Sequence, residues 1–104
     1  MNTAYRAVLD YSGEILEVST GVLDFKYLYR IALRHIRHDI YMGRANCLVI
    51  RFEFVRYSED EHINRFGYLQ HDIVERETIA YAAVSKTGVT IVYGGNIYEI
   101  EKRV

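Results

Sequence analysis

The sequence predicts an α+β fold, with one mainly antiparallel sheet of about five to six strands and a long helix packed on one face. Two observations indicate this class. Residues 20–43 form the longest segment with apolar residues at helical spacing, and shorter segments of alternating apolar and polar residues flank it. The chain has 104 residues, the size of one domain, so we expect a single α+β domain over residues 1–104 with the element order ββ-α-β-α-βββ.

The chain begins with two short segments that are typical of strands. Residues 4–10 and residues 14–18 are rich in apolar side chains, and Tyr11-Ser12-Gly13 between them has the composition of a turn. We therefore expect a β-hairpin before the helix.

The segment Thr20–Gly43 is predicted to be the long helix. Thr20 is a suitable N-cap, because its hydroxyl can accept a hydrogen bond from a free backbone N–H. Gly43 is suited to end the helix in a left-handed conformation. At about 100° per residue, one side of this helix is apolar and is expected to face the sheet. Its members are Val22, Phe25, Tyr29, Ala32, Leu33, Ile36 and Ile40.

A second stripe on the same helix is basic. Lys26, Arg30, Arg34 and Arg37 recur at intervals of three or four residues and therefore share one side. Arginine binds carboxylates and phosphates through two parallel hydrogen bonds, and tyrosine adds flat apolar area, so this stripe with Tyr27 and Tyr41 is the candidate partner-binding site. The alternative is a solvated flank whose aliphatic stems cover the edge of the core. Four tyrosines do not fit the predicted core faces and are expected to be exposed: Tyr27, Tyr41, Tyr57 and Tyr68.

The middle of the chain is predicted to hold a strand followed by a second helix. Residues 46–57 alternate between apolar and polar side chains, which is typical of a strand. Ser58 and Glu61 have the spacing of a capping box, and residues 59–75 carry apolar side chains at helical intervals. The alternative is that this segment is extended and leads into the next strand.

The last third of the chain is predicted to be β-structure. Residues 78–84 form a strand, and residues 89–93 and 97–101 form a hairpin through Gly94-Gly95-Asn96. Alternation places five residues of this hairpin on one face, which we expect to be the core face. They are Val89, Ile91, Tyr93, Tyr98 and Ile100.

The charge is nearly balanced overall but unevenly distributed. The net charge is −1, so no global field favours nucleic acid or a membrane surface. The N-terminal residues lack the apolar region of a secretory signal, and no apolar run approaches about 18 residues, so we expect a cytoplasmic protein without membrane contact.

Cys47 is the one cysteine, which excludes a disulfide framework, and its apolar neighbours predict that it is buried.

No motif in the sequence indicates catalysis or a cofactor. His35, His38 and Asp39 have a spacing that can bring ligands to one metal, but the set is incomplete and lies among arginines. A His35–Asp39 pair along the helix is the simpler interpretation. We therefore expect neither a metal site nor a cofactor, and no enzyme activity.

These observations favour a small non-catalytic protein that docks on a larger macromolecule, as an inhibitor or regulator. Compact chains without catalytic motifs are common among accessory proteins of phages and other mobile elements, including anti-defence proteins of the anti-CRISPR-like kind. A protein partner is expected, and direct nucleic-acid binding through the same basic stripe is the first alternative. A small enzyme with a site between His35, His71 and nearby acids is the second. A homodimer, formed through the second sheet face or an edge strand, is compatible with each.

Overall fold

The computed structural model describes residues 2–101 and shows one antiparallel sheet of six strands with a single helical segment. This confirms the α+β class and the mainly antiparallel sheet. The sheet order is β2-β1-β3-β4-β5-β6. The strands are β1 Thr3–Leu9, β2 Ile15–Ser19, β3 Cys47–Ile63, β4 Leu69–Ser85, β5 Gly88–Tyr93 and β6 Asn96–Glu101.

The helical segment is shorter than predicted and begins later. Helix α1 spans Phe25–His35 and continues as a π-helical segment, Ile36–Ile40. Its N-cap is Asp24, whose Oδ1 accepts a hydrogen bond from the backbone N–H of Tyr27 at 2.8 Å. The prediction that Thr20 caps the helix is wrong. Both residue types are good caps, and Asp24 prevails because Gly21, just after Thr20, disfavours a helical start.

The end of the segment is formed as Gly43 predicts. The N–H of Gly43 donates to the carbonyl of Ile40 at 3.1 Å, and the N–H of Arg44 donates to the carbonyl of Asp39 at 3.1 Å. These two bonds form a Schellman motif around Gly43, whose φ is 72°. The left-handed conformation predicted for Gly43 is thereby confirmed, although regular helical structure ends at Ile40.

The predicted core side of the helix is confirmed in part, because Ala32, Ile36 and Ile40 are buried in the core and Tyr29 and Leu33 pack against it. Leu28 and Ile31 are buried, whereas Val22 is 85% exposed and Phe25 is 37% exposed. At about 100° per residue, the centre of the buried side is rotated by roughly 55° from the predicted one. The buried helical residues lie in one hydrophobic cluster with residues of β1, β3, β4 and β5. Those helical residues are Leu28, Ile31, Ala32, Ile36 and Ile40.

The second predicted helix is absent from the described residues, and the extended alternative is the one observed. Strands β3 and β4 have 17 residues each and pair out to Ile63↔Leu69, so residues 59–75 lie in a long hairpin. Ser58 does not cap a helix. Its hydroxyl donates to the carbonyl of Asp60 at 3.0 Å and accepts from the N–H of Asp72, on the opposite strand, at 3.3 Å.

The turn at the end of this hairpin explains why the strands form. The N–H of Gly67 donates to the carbonyl of Asn64 at 3.0 Å, and Gly67 has a φ of 85°. The side chain of Asn64 accepts from the N–H groups of Phe66 and Tyr68 at 2.9 and 3.1 Å. Asparagine at the first position and glycine in the left-handed position are the residues that such a three-residue hairpin loop requires.

The terminal hairpin agrees with the predicted face assignment. Val89 pairs with Ile100 and Ile91 pairs with Tyr98, so these residues share one face. Val89 and Ile91 are buried in the core cluster. Tyr98 lies at its edge, 39% exposed, with its ring centroid 4.8 Å from that of Phe25.

The opposite face of the sheet carries a buried ion pair. Arg6 and Glu53 pair across β1 and β3, and both alternate with core residues of the helix-facing side. Glu53 is fully buried, and its Oε1 accepts from Nε of Arg6 at 2.8 Å.

Cys47 begins β3 and is exposed, so its predicted burial is wrong, because alternation turns Leu48 and not Cys47 inward.

Candidate functional site

The four basic side chains predicted on the helix are all exposed, and we call them the basic flank: Lys26, Arg30, Arg34 and Arg37. At about 100° per residue, their mean direction lies roughly 155° from the centre of the buried side of the helix. The flank therefore lies on the outer side of the helix, and its Arg34 edge is turned towards Glu17 of β2.

The protein neutralises little of this charge. Arg34 Nη1 lies 3.7 Å from Glu17 Oε1 on β2, and the Arg34 side chain is 61% exposed. An ion pair that is this long and exposed contributes little stability. Lys26, Arg30 and Arg37 make no ion pair within residues 2–101. The flank thus presents cations that are free to bind an external anion.

A depression of about 690 Å³ lies beside the flank, and we call it the cationic depression. Tyr29 and Leu33, which are half-buried, contribute apolar area to it. Within the described part of the chain no carboxylate lines it. Because its described lining lies on one helical segment, it is an open surface recess and not an enclosed cavity. Its described lining consists of Tyr29, Arg30, Leu33, Arg34, His35, Arg37 and His38.

The tyrosines predicted to be exposed divide into two groups. Tyr41 is 43% exposed and Tyr68 is 71% exposed, as predicted. Tyr27 and Tyr57 are half-buried, so their predicted exposure is wrong. The cause for Tyr27 is the rotation of the helix, which brings its ring to 6.4 Å from the ring of Phe52.

Tyr27 has an unusual environment for a phenol. Its hydroxyl is buried and has no hydrogen-bond partner within the described structure. Burial raises the pKa of Tyr27 above 10.0, and the nearby carboxylate of Glu17 raises it further, against the opposing effect of Arg30 and Arg34. Tyr27 therefore anchors the helix rather than offering contact area.

The histidines do not form a metal site in the described structure. His35 Nδ1 lies 3.6 Å from Asp39 Oδ2, and Arg44 Nη1 lies 3.6 Å from Asp39 Oδ1. Within residues 2–101 no group of three or more His, Cys, Asp or Glu residues is arranged to hold a metal ion. His71 contacts Ser58 and Glu61 of its own hairpin, whereas His35 contacts Asp39 of its own helix.

The long hairpin is a second candidate site that the sequence interpretation missed. We call residues 58–72 the hairpin arm. Large apolar side chains surround its turn and are about equally exposed. Their exposures are 69% for Ile63, 69% for Phe66, 71% for Tyr68 and 69% for Leu69. The guanidinium of Arg65 lies 4.9 Å from the centroid of the Phe66 ring. The combination of Asn64 with Gly67 is the signal that would have predicted this turn.

No protein-family model, curated protein or solved structure matches this chain. Among residues 2–101, no helix has the length and apolar character needed to cross a membrane.

Proposed function

We propose that this chain is a small, non-catalytic binding protein that docks on a larger macromolecule through the basic flank and acts as its inhibitor or regulator. The observation that carries this proposal is the set of four exposed cations, of which Arg34 alone has a carboxylate nearby within the described residues, the Glu17 oxygen at 3.7 Å. A cluster of like charges on one helix face repels itself, by a few tenths of a kcal/mol per pair, and gives no stability in return. An anionic partner bound to the flank would relieve this repulsion and add attractive ion pairs to the binding free energy.

The proposed partner is a protein with exposed carboxylates. Arg30, Arg34 and Arg37 would each form charge-assisted hydrogen bonds, and the guanidinium fork suits the two oxygens of a carboxylate. Tyr29 and Leu33 in the cationic depression would cover apolar area next to those contacts. Tyr41, exposed after the end of the helical segment, extends this surface.

Nucleic acid is the less favoured partner for a reason of charge. The net charge is −1, and the hairpin arm carries four carboxylates. The four cations of the flank therefore stand on a chain without the overall positive charge that attracts a phosphate backbone.

The test is partner capture with a charge-reversal variant. Immobilised wild-type protein and Arg34→Glu are compared for retention of proteins from source-cell extract, and the affinity for the purified partner is then measured. We expect Arg34→Glu to weaken binding by about 30-fold or more, because truncating a buried interfacial charge pair typically costs at least about 2 kcal/mol. Lys86→Glu, which reverses one exposed cation in the β4–β5 turn, should bind as the wild type does.

The melting curve keeps this test interpretable. Arg34 is 61% exposed on its side chain, so the reversal should change the free energy of unfolding by about 0.5 kcal/mol at most. Unchanged binding by folded Arg34→Glu would refute the flank as the docking site. Retention of nucleic acid, with affinity that falls linearly in a log–log plot against salt, would replace the protein partner with the nucleic-acid alternative.

A further inference from the structure

The hairpin arm and the basic flank carry opposite charge. The arm contains Glu59, Asp60, Glu61 and Asp72 against the single cation Arg65. Within the described chain these carboxylates have no Lys or Arg partner. Glu61 lies 3.3 Å from His71, and Asp72 lies 3.6 Å from His62, and both histidines belong to the arm itself. The acidic charge of the arm is therefore as little compensated as the basic charge of the flank.

The two surfaces also match in their apolar parts. The arm ends in Phe66 and Tyr68, which are exposed, and its acids lie behind this tip along the strands. The cationic depression has the reverse arrangement, with the half-buried Tyr29 and Leu33 beside the arginines of the flank. An apolar tip with acids behind it is complementary to an apolar recess with cations beside it.

The tip of the arm and the helix lie towards opposite ends of β3. The helix lies over the half of β3 that contains Phe52, and the tip lies beyond Ile63. Three register shifts in the β3–β4 ladder shorten the path between these positions, so they are less than the roughly 36 Å apart that a regular strand at ~3.3 Å per residue would span. The longest dimension of the molecule, 48 Å, agrees with a projecting arm.

A projecting arm of this kind gains from being covered. A two-stranded hairpin is marginally stable by itself in water, and no third strand pairs with the described arm, although Leu69 and His71 line a recess together with Thr3 and Val18. Its turn is nevertheless fixed by three hydrogen bonds to Asn64, so Phe66 and Tyr68 are held in place before any contact forms. Such preorganisation lowers the entropic cost of docking.

We propose that the occupant of the cationic depression, in the absence of another partner, is the hairpin arm of a second copy of this chain. The result is a two-fold symmetric dimer in which each arm contacts the flank of the other copy. This inference goes beyond the proposed function, because it concerns the protein alone. It implies that an acidic partner competes with the second copy for the same cations.

The experiment is a charge swap followed by sedimentation. The first variant carries Arg30→Glu, Arg34→Glu and Arg37→Glu, so that its helix and arm are both acidic. The second carries Glu59→Lys, Asp60→Lys and Glu61→Lys, so that both surfaces are basic. Each variant alone should self-associate at least about 100-fold more weakly than the wild type, because like charges then face each other across both contacts.

The mixture of the two variants is the decisive measurement. In a one-to-one mixture each acidic surface meets a basic one at both contacts, so a heterodimer should form with twice the mass of the monomer. Lys86→Glu, outside both surfaces, should remain a dimer like the wild type, and Phe66→Ser should weaken the dimer without any change of charge. Circular dichroism melts establish that each variant is folded.

Two outcomes would overturn the proposal. A wild-type protein that remains monomeric at submillimolar concentration forms no such dimer, and the flank is then open to other partners. Variants that each stay dimeric would place the interface elsewhere, on the second sheet face or an edge strand. Neither outcome affects the capture test with Arg34→Glu, so failure of this proposal and failure of the proposed function are distinguishable.

Discussion

The buried ion pair between Arg6 and Glu53 gives the sharpest prediction about stability. Glu53 is fully buried, and three arginines surround its carboxylate. Besides Arg6, Arg51 Nε lies 3.5 Å from Oε2 and Arg76 Nε lies 3.9 Å from Oε1. Arg51 also contacts Asp10 at 3.0 Å, so it retains a partner when Glu53 is removed. Arg6, whose side chain is 10% exposed, would keep no acidic partner among the described residues when Glu53 is removed.

The perturbation is Glu53→Leu, which removes the carboxylate and roughly keeps the volume. It leaves the guanidinium of Arg6 buried without an acceptor, and breaking a buried pair in this way typically costs about 3–5 kcal/mol. That is a large share of the roughly 5–15 kcal/mol by which domains of this size are stable. The double variant Arg6→Met/Glu53→Leu removes the stranded charge as well, so we expect it to lose much less than the sum of the two single variants.

The assay is urea unfolding followed by circular dichroism, at one fixed protein concentration so that any self-association contributes equally. The chain contains a matched control. Arg56 Nε lies 2.9 Å from Glu75 Oε2, also across neighbouring strands, but these side chains are 44% and 50% exposed. Glu75→Leu should therefore cost about 0–1 kcal/mol. If Glu53→Leu costs no more than Glu75→Leu, burial does not determine the strength of these pairs and the reasoning fails.

Two further predictions concern the helix. Asp24→Ala should lower the free energy of unfolding by about 1 kcal/mol, because it removes the hydrogen bond from the N–H of Tyr27. Thr20→Ala should change the free energy of unfolding by less than about 0.5 kcal/mol. If urea titrations show the larger loss for Thr20→Ala, Thr20 and not Asp24 is the cap. Tyr27→Phe should leave stability at pH 7 unchanged or raise it by up to about 1 kcal/mol, since the buried hydroxyl has no partner. The pKa of Tyr27 is raised in the folded state, so folding favours the protonated phenol over the phenolate. The wild-type free energy of unfolding is therefore unaffected by this group below the unfolded pKa of 10.0 and falls as the pH rises above that value. Tyr27→Phe should therefore lose less stability than the wild type in alkaline titrations, and an equal loss would contradict the assignment.

Several parts of the fold could be predicted from the sequence because one interaction dominates each of them. Strand β1 and the terminal hairpin follow from alternation, since burial of one sheet face fixes the side-chain period at two. The close of the helical segment follows from Gly43, because glycine adopts the required positive φ without the strain that a Cβ imposes.

The hairpin arm could not be identified in this way because two local signals compete there. Ser58 and Glu61 have capping-box spacing, and the apolar residues that follow fit a helical period as well as they fit a strand. The turn at Asn64 and Gly67 favours a hairpin, and Gly67 weakens any helix through it by about 1 kcal/mol. The deciding factor is the pairing of residues 61–63 with residues 69–71, which resumes, after a register shift at residues 58–60, the ladder formed by the rest of β3 and β4.

The site illustrates which property of a helix is local and which is tertiary. That Lys26, Arg30, Arg34 and Arg37 share one side depends only on their spacing, so the later start of the helix, at Phe25, leaves the basic flank intact. Which side faces the sheet depends on the pockets that the strands offer, and the choice of Leu28 and Ile31 could not be made from the helix alone.

The rotation of the helix has a consequence for binding. With the predicted apolar side inward, the flank would have stood roughly 100° from the core, where arginine stems cover the core edge. With the observed side inward, it stands roughly 155° from the centre of the buried side, and Arg30 and Arg34 still lie near the half-buried Tyr27 at the edge of the core. Truncating these side chains should therefore affect partner and dimer contacts while leaving the core intact, which is the condition under which charge reversal reports on binding and not on folding.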